Sequence, residues 1–242
     1  MMRHANNRLS VRLPVMEYHW YYRAETALPV FTYPEELTNA DRLCVACTQT
    51  GLTPSKQNAL VRQWCKLLPT LDRVRTLWLT SRVPQALFDA ACRIPNLEDL
   101  WVKWSGVTNI TAIQGLPKLR YFYLGSSAGL HSISPLAEMA QLRWLGLENL
   151  KRIRTIEPVG SLTRLEGLVL QGSMWTTWKV KTLTPLSALE NLRYLSLANL
   201  RSHDKTLAPL FALRRLETFI RAAWWDEGEL QEIRKRNPRL TA

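Results

Sequence analysis

The chain has few of the residues that carry chemistry in enzymes and metal sites. Its 242 residues include 4 histidines and 4 cysteines. No stretch approaches the roughly 18 consecutive apolar residues that a membrane-spanning helix needs. Residues 1–14 are basic but are followed by no apolar stretch of the kind that marks a secretory signal. We therefore expect a cytoplasmic protein with no membrane association, although an injected effector would have the same composition.

Common catalytic and cofactor motifs are also missing. The sequence contains no phosphate loop, no dinucleotide fingerprint and no H-E-x-x-H pattern. Cys44 and Cys47 have C-x-x-C spacing, but they fall in a predicted strand, where their sulfurs would point to opposite faces. A G-x-S-x-G pattern covers residues 125–129 near His131, yet it occupies a loop between repeats and lacks the strand–turn–helix context of a nucleophile elbow. We expect no enzymatic activity, no metal, no cofactor and no small-molecule substrate.

Acidic residues are scarce relative to basic ones. Lysine and arginine together number 32 against 20 aspartates and glutamates, which gives a formal net charge of +12. The basic residues are spread along the whole chain and are not gathered in a tail. Such a distribution is typical of proteins with an acidic partner, of nucleic-acid-binding proteins, or of a soluble cationic surface.

Leucine, in contrast, is abundant and regularly spaced. The pattern P-L-x-x-L-x-x-L-x-x-L-x-L recurs at steps of 23, 27 and 24 residues, starting at Pro135, Pro158, Pro185 and Pro209. Weaker copies precede these, and the equivalent strand-forming segments begin at Val74, Leu97, Leu119, Leu142, Leu165, Leu192 and Leu216. An eighth copy begins near Ala40 and uses Leu43 and Val45. A period in the low twenties predicts stacked repeats that share one continuous core.

This pattern resembles the leucine-rich-repeat superfamily over residues 37–223, and is most similar to its short bacterial, SDS22-like repeats. The resemblance implies an α/β solenoid with parallel β-strands on the concave face and short helices or 3₁₀ turns on the convex face. The family usually has asparagine or cysteine at the ninth position of each repeat. Here that position holds Ser105, Ser127, Ser173, Leu150 and Leu200, so we expect less regular turns.

Three regions follow from the repeat. Residues 37–225 are predicted to form the solenoid, with seven to eight repeats and helices over 55–68 and 84–93 on its convex side. Residues 1–36 are predicted to be an N-terminal capping region, in which alternating apolar residues over 16–22 suggest a hairpin. Residues 226–242 are predicted to be a C-terminal capping helix, since acidic residues crowd its start, basic residues its end, and Pro238 stops it.

The residues between the buried leucines should line the concave face, and several of them are large aromatics. We predict a partner-binding surface composed of Trp78, Trp101, Tyr121, Tyr123, Trp144, Tyr194, Asp99, Lys103 and Glu148. Aromatic residues with a polar group dominate interaction hot spots. The alternative interpretation is that these rings only stabilise neighbouring strands by stacking.

Loops that leave successive strands carry basic residues that stacking would bring together. This basic ridge consists of Lys151, Arg152, Arg154, Lys179, Lys181, Arg201, His203 and Lys205. It is either a solvated face, a site for an acidic protein or a site for nucleic acid, although the aromatic residues are expected on a different surface.

The sequence as a whole predicts a non-catalytic protein–protein interaction module that binds its partner on the concave face. A nucleic-acid-binding protein that uses the basic ridge is the alternative from another class. A bacterial effector or a toxin-neutralising protein is a third interpretation, which differs in biological role and not in physics.

Overall fold

A computed structural model describes residues 28–37 and 39–240. The hairpin predicted over residues 16–22 lies outside them. Eleven strands occur in the described residues: β1 Val30–Phe31, β2 Arg42–Val45, β3 Thr76–Val83, β4 Asp99–Ser105, β5 Tyr121–Gly125, β6 Trp144–Glu148, β7 Gly167–Gln171, β8 Trp178–Val180, β9 Tyr194–Leu197, β10 Leu200–Ser202 and β11 Thr218–Arg221. The α-helices of the same residues are α1 Pro54–Leu67, α2 Gln85–Ala91, α3 Glu157–Gly160 and α4 Glu227–Arg236.

Within the described ranges, nine strands form one parallel sheet in the order β1-β2-β3-β4-β5-β6-β7-β9-β11. The register of the sheet follows the sequence repeat. Each predicted strand segment begins at a residue such as Val74 or Leu97, and the residues two positions further along are paired across neighbouring strands. This row of paired residues is Thr76, Asp99, Tyr121, Trp144, Gly167, Tyr194 and Thr218. The predicted parallel solenoid is confirmed, and β2, near the additional copy at Ala40, pairs in parallel with β3.

A ladder of aliphatic and phenyl side chains lies behind the sheet. One row is fully buried and consists of Leu77, Leu100, Phe122, Leu145, Leu168 and Leu195. A second fully buried row consists of Leu79, Val102, Leu124, Leu147, Leu170 and Leu197. Burying a side chain of this size stabilises the fold by about 1.5–3 kcal/mol. Because strand side chains alternate between faces, the residues between these rows must project from the concave side.

The convex side changes character along the chain, as predicted. Helix α1 begins after Thr53, whose side chain accepts a hydrogen bond from the Lys56 amide, and it buries Trp64 against the core. The Trp64 indole donates to the Thr32 carbonyl at 3.0 Å, which ties α1 to the first strands. Later repeats have 3₁₀ segments at Thr111–Gly115, Ser134–Glu138, Thr184–Ala188 and Ala208–Ala212. No helix in the described part of the chain is long and apolar enough to cross a lipid bilayer.

The turns that leave the strands use a device that differs from the family pattern. Ser126, Asn149 and Asn199 each follow a strand and adopt left-handed backbone angles, with φ of 43°, 55° and 53°. Asparagine tolerates this conformation better than most residues. The next residue in two of these turns, Leu150 or Leu200, is fully buried in the core. In these two repeats, the ninth position, where the family usually has a buried asparagine, is therefore occupied by a leucine that adds to the apolar core.

The C-terminal end of the core is closed by α4. Asp226 caps the helix by accepting a hydrogen bond from the Glu229 amide at 2.8 Å, and Leu230 and Ile233 are buried against the last repeat. Asn237 is also buried, and its side chain accepts from the Leu216 amide at 3.1 Å and donates to the Ile233 carbonyl at 3.0 Å. One amide side chain therefore satisfies backbone groups of both the last repeat and the helix.

At the other end, β1 pairs in parallel with β2. Among the described residues, the parallel sheet therefore begins at Val30, within the region 1–36 that was predicted to be an N-terminal cap.

We expect Asn237→Ala to lower the free energy of unfolding by about 1–3 kcal/mol, because it leaves the buried Leu216 amide without its acceptor. Chemical denaturation measures this loss, and Asn58→Ala, an exposed position on α1, should change stability by less than about 0.5 kcal/mol. Equal stability of the two variants would contradict this role of Asn237.

Candidate functional site

The register of the sheet places the predicted aromatic residues side by side on the concave face. Trp78, Trp101 and Tyr123 are direct partners on β3, β4 and β5. The ring centroids of Trp78 and Trp101 lie 5.7 Å apart with the planes tilted by 46°, whereas those of Trp101 and Tyr123 lie 5.5 Å apart and are stacked at 18°. Tyr121 and Trp144 are partners in the adjacent row. These five rings form one continuous group, which we call the concave aromatic surface.

Two glycines provide the space that the rings of Tyr123 and Trp144 occupy. A Cβ atom on Gly146 would lie 2.4 Å from Tyr123 Cδ2, and one on Gly167 would lie 2.2 Å from Trp144 Cδ1. Both distances are far shorter than a van der Waals contact. The rings therefore lie directly on the backbone of β6 and β7, and the missing side chains of these two glycines are a requirement of the packing.

The concave residues form a buried floor with less buried rings beside it. Tyr123, Trp144, Val169 and Tyr194 constitute a cluster of buried side chains separate from the leucine core. The remaining aromatics of the concave aromatic surface are half-buried: Trp78, Trp101 and Tyr121. All nine residues that the sequence predicted for the partner-binding surface lie on this face of the sheet.

Charged residues border the rings. Asp99 is only 8% exposed, and this burial raises the pKa of its carboxyl to about 7, although a hydrogen bond from Trp78 and the positive charge of Arg42 oppose the shift. Burial likewise raises the pKa of Glu148, against a hydrogen bond from the Tyr123 hydroxyl and the charge of Lys103. The concave face therefore includes a buried carboxyl, that of Asp99, with a pKa near neutral and a hydrogen bond from the Trp78 side chain.

A ladder of ion pairs runs along the edge where the strands begin. Arg75 pairs with Glu98 at 2.8 Å and Arg143 with Glu166 at 3.0 Å. Arg193 pairs with Glu217 through two hydrogen bonds of 2.8 and 3.0 Å. These pairs neutralise the charges of three arginines at that edge.

The opposite edge carries the basic ridge. Strands β8 and β10 form a separate two-stranded parallel ladder there, in which Lys179 is paired with Arg201. A depression of about 550 Å³ lies over this ladder and is lined by Arg154, Lys179, Lys181, Arg201, His203 and Lys205 together with Val180 and Ser202. Most residues of the predicted basic ridge therefore line this one depression. Lys151 and Arg152 are exposed but do not line it, and Arg152 instead contacts His131 Nε2 at 2.7 Å.

The G-x-S-x-G segment lacks the geometry of a nucleophile elbow. Ser127 is fully buried, and its hydroxyl contacts the Ser105 hydroxyl and the Gly125 carbonyl. His131 is directed to Arg152, as described above. A hydrolytic serine must reach its histidine and a substrate, and this arrangement provides neither contact.

The cysteines are not arranged for redox or metal chemistry. All four are free, and burial raises the thiol pKa of Cys44 and of Cys47, the latter to about 12. Such thiols form little of the reactive thiolate. Among the described residues, no group of three or more histidine, cysteine, aspartate and glutamate side chains could hold a metal ion.

Sequence reasoning did not identify one neighbour of the basic ridge. Trp224 follows β11, and its ring lies 4.7 Å from the guanidinium carbon of Arg201. Its indole donates to the Leu200 carbonyl at 3.3 Å, and 41% of the residue is exposed. From the sequence we expect the aromatic and basic residues on different surfaces, but in the structure Trp224 lies directly beside Arg201 of the basic ridge. Strands β8 and β10 are too short to be recognised by periodicity.

Solved structures share this architecture. An internalin of Listeria monocytogenes matches with a TM-score of 0.54 and 19% sequence identity, over 86% of this chain and 61% of the internalin. A leucine-rich-repeat protein of Leptospira interrogans matches with a TM-score of 0.55 and 20% identity, over 73% of this chain and 44% of that protein. The chain thus spans less than two thirds of either structure. The likeness confirms the leucine-rich-repeat fold.

Comparisons at the level of sequence give no match. No protein-family model and no curated protein matches the chain.

We expect Gly167→Ala to lower the free energy of unfolding by about 1–3 kcal/mol, because the added methyl group forces the buried Trp144 ring off the strand. Gly106→Ala is the matched control, since its Cβ would meet only the Val83 carbonyl at 3.7 Å. Chemical denaturation compares the two variants, and a loss at Gly106 as large as that at Gly167 would contradict the packing described here.

Asp99 should make stability depend on pH. Because its folded pKa is raised from 3.8 to about 7, the folded state binds its proton more tightly, so this stabilisation is present at pH 4 and is lost as the pH rises through 7. Asp99→Asn keeps an acceptor for the Trp78 indole but removes the charge. We expect the variant to gain stability relative to the wild type between pH 4 and pH 8, by at most about 4 kcal/mol. A pH-independent difference in denaturation midpoint would contradict this assignment.

Proposed function

We propose that this chain is a non-catalytic recognition module that binds a protein partner on the concave aromatic surface. The observation that carries the proposal is the position of Trp78, Trp101 and Tyr121. These rings lie on the side of the sheet away from the leucine core, and each is only half-buried. A ring that completed the main core would be buried among the leucines, as Phe122 is.

The surface has the composition of an interaction hot spot. Large, rigid rings bury much apolar area at a small cost in side-chain entropy, and tyrosine and tryptophan add a hydrogen-bonding group. Here the buried Tyr123 and Trp144 hold the half-buried rings in place, so little ordering is required when a partner binds. A partner loop or helix with apolar side chains fits such a surface.

The charged residues at the border would orient that partner. Lys103 is exposed, and the half-buried Glu148 accepts a hydrogen bond from the Tyr123 hydroxyl at the edge of the rings. Charges at the margin of an interface mainly steer approach and select the register of docking. The net charge of +12 favours a partner with an acidic surface.

A solenoid of stacked strands supports this use, because its curved sheet presents one extended and rigid face. The proposal is one of recognition without chemistry. The same surface would serve a cytoplasmic protein, an exported bacterial effector or a toxin-neutralising protein.

We expect Trp101→Ala to weaken partner binding by about 2 kcal/mol or more, which is roughly 30-fold, because Trp101 lies between Trp78 and Tyr123 at the centre of the surface. Affinity purification from the source cell with wild-type and variant chains identifies the partner, and titration calorimetry with that partner measures the loss. Circular dichroism verifies that the variant is folded.

Trp175→Ala is the matched control, because Trp175 is 89% exposed and lies in the loop after β7, outside the concave face. It should retain the partner with near wild-type affinity. Undiminished binding by the Trp101 variant, or an equal loss in the Trp175 variant, would refute the concave site. An apolar interface of this kind should also depend only weakly on salt.

A further inference from the structure

The basic depression over β8 and β10 has a regular construction. In both strands the first and third residues are buried and the middle one is exposed, so Lys179 and Arg201 project outward from paired positions. Arg154 is fixed beside them, since its guanidinium donates to the Lys179 carbonyl at 3.3 Å and its carbonyl accepts from the Lys181 amide at 2.8 Å. Side chains of like charge are therefore held together by backbone pairing.

These cations differ from three arginines on the other edge of the sheet. There, Arg75, Arg143 and Arg193 are each paired with a glutamate. Among the ion pairs within residues 28–37 and 39–240, none includes the five cations of the depression, which are Arg154, Lys179, Lys181, Arg201 and Lys205. Clustered charges of one sign repel each other and attract counter-ions, so this depression favours a polyanion.

One carboxylate lies close to the depression in sequence. Burial raises the pKa of the Asp204 carboxyl, but the nearby hydrogen-bonding groups of Ser202, Thr182 and Thr206 outweigh this effect, so the net shift is downward. Its charge is therefore committed to the turn between β10 and the last 3₁₀ segment. It reduces the positive charge of the region by one without pairing with a lysine or arginine of the depression.

An aromatic ring lies beside the depression, next to Arg201 but outside the residues that line it. The Arg201 guanidinium lies over the Trp224 ring, and the hydrogen bond from the indole to the Leu200 carbonyl anchors that ring beside β10. Trp224 still exposes 41% of its surface. Proteins that bind single-stranded nucleic acid combine a positively charged groove for the backbone with exposed rings on which bases stack.

We infer that the basic depression binds single-stranded nucleic acid, with phosphates along Lys179, Lys181 and Arg201 and an unpaired base against Trp224. An acidic protein would use the cations but has no need of the exposed indole. A duplex would also use the cations, but its bases are already stacked and cannot reach the ring. This site lies on a different surface from the concave aromatic surface, so it stands or fails independently of the proposed function.

Fluorescence anisotropy with labelled 12-nucleotide oligo-dT and oligo-U and the full chain tests this inference. If each of the five cations of the depression neutralises one phosphate, the affinity should fall about 100-fold when the salt concentration rises from about 50 to 200 mM. Lys179→Gln/Lys181→Gln should weaken binding at least about 10-fold at low salt and reduce the slope of log affinity against log salt by about 1.4. Comparison of the two oligonucleotides shows whether the site distinguishes DNA from RNA.

Lys56→Gln/Lys66→Gln is the control, because it removes the same charge from exposed positions on α1. It should change affinity less than twofold. Absence of binding at low salt, or an equal loss in this control, would overturn the inference.

The ring is tested separately. Trp224→Leu should weaken oligonucleotide binding about 5- to 100-fold, the range that stacking of a base on an aromatic side chain accounts for. Trp224→Phe should restore most of the affinity, and thermal melting shows that both variants are folded. If polyglutamate of equal charge or a duplex of equal length binds as tightly as the single strand, the ligand is not single-stranded nucleic acid and the inference is wrong.

Discussion

The stacking of aliphatic side chains in register across the parallel strands determines where the other side chains of the sheet lie. Leu77, Leu100 and Leu145 occupy equivalent positions on β3, β4 and β6 and are fully buried. A shift of one residue in any strand would bring polar or aromatic residues into the core and expose its leucines. The register is therefore fixed by apolar burial, and the concave face acquires its residues as a consequence.

Two surfaces with different physics result from this one constraint. On the concave face, the absence of side chains at Gly146 and Gly167 lets the rings of Tyr123 and Trp144 lie on the strands, which holds the half-buried rings beside them in place. At the edge that carries the basic ridge, the short ladder of β8 and β10 aligns Lys179 with Arg201. The first surface favours apolar contact and the second favours a polyanion, so the two can act independently.

Much of this could be predicted from the sequence, because leucine periodicity reports directly on burial. The strands of the leucine repeats and the positions of the rings on the concave face followed from spacing alone, and the helix predicted over 55–68 is present at 54–67. The predicted C-terminal helix is likewise present at 227–236. Whether the concave aromatic surface binds a partner stays a prediction.

Other features depend on contacts between distant repeats, and no local pattern reports them. The buried Asp99 accepts a hydrogen bond from Trp78 of the neighbouring repeat, and the contact between Arg201 and Trp224 joins two separate repeats. Leu150 and Leu200 stand where the family usually has asparagine, and both are buried in the core. The residue before each of them, Asn149 or Asn199, adopts the left-handed backbone conformation of the turn.

Hydroxyl-radical footprinting of the chain, free and bound to the protein it captures from its source cell, tests the central claim most directly. In the free chain we expect labelling of Trp78, Trp101 and Tyr121 and no labelling of the fully buried Trp64 and Trp178. Partner binding should protect the first three residues and leave the exposed Trp175 labelled as before. Protection elsewhere, with Trp78, Trp101 and Tyr121 still labelled in the complex, would contradict recognition on the concave face.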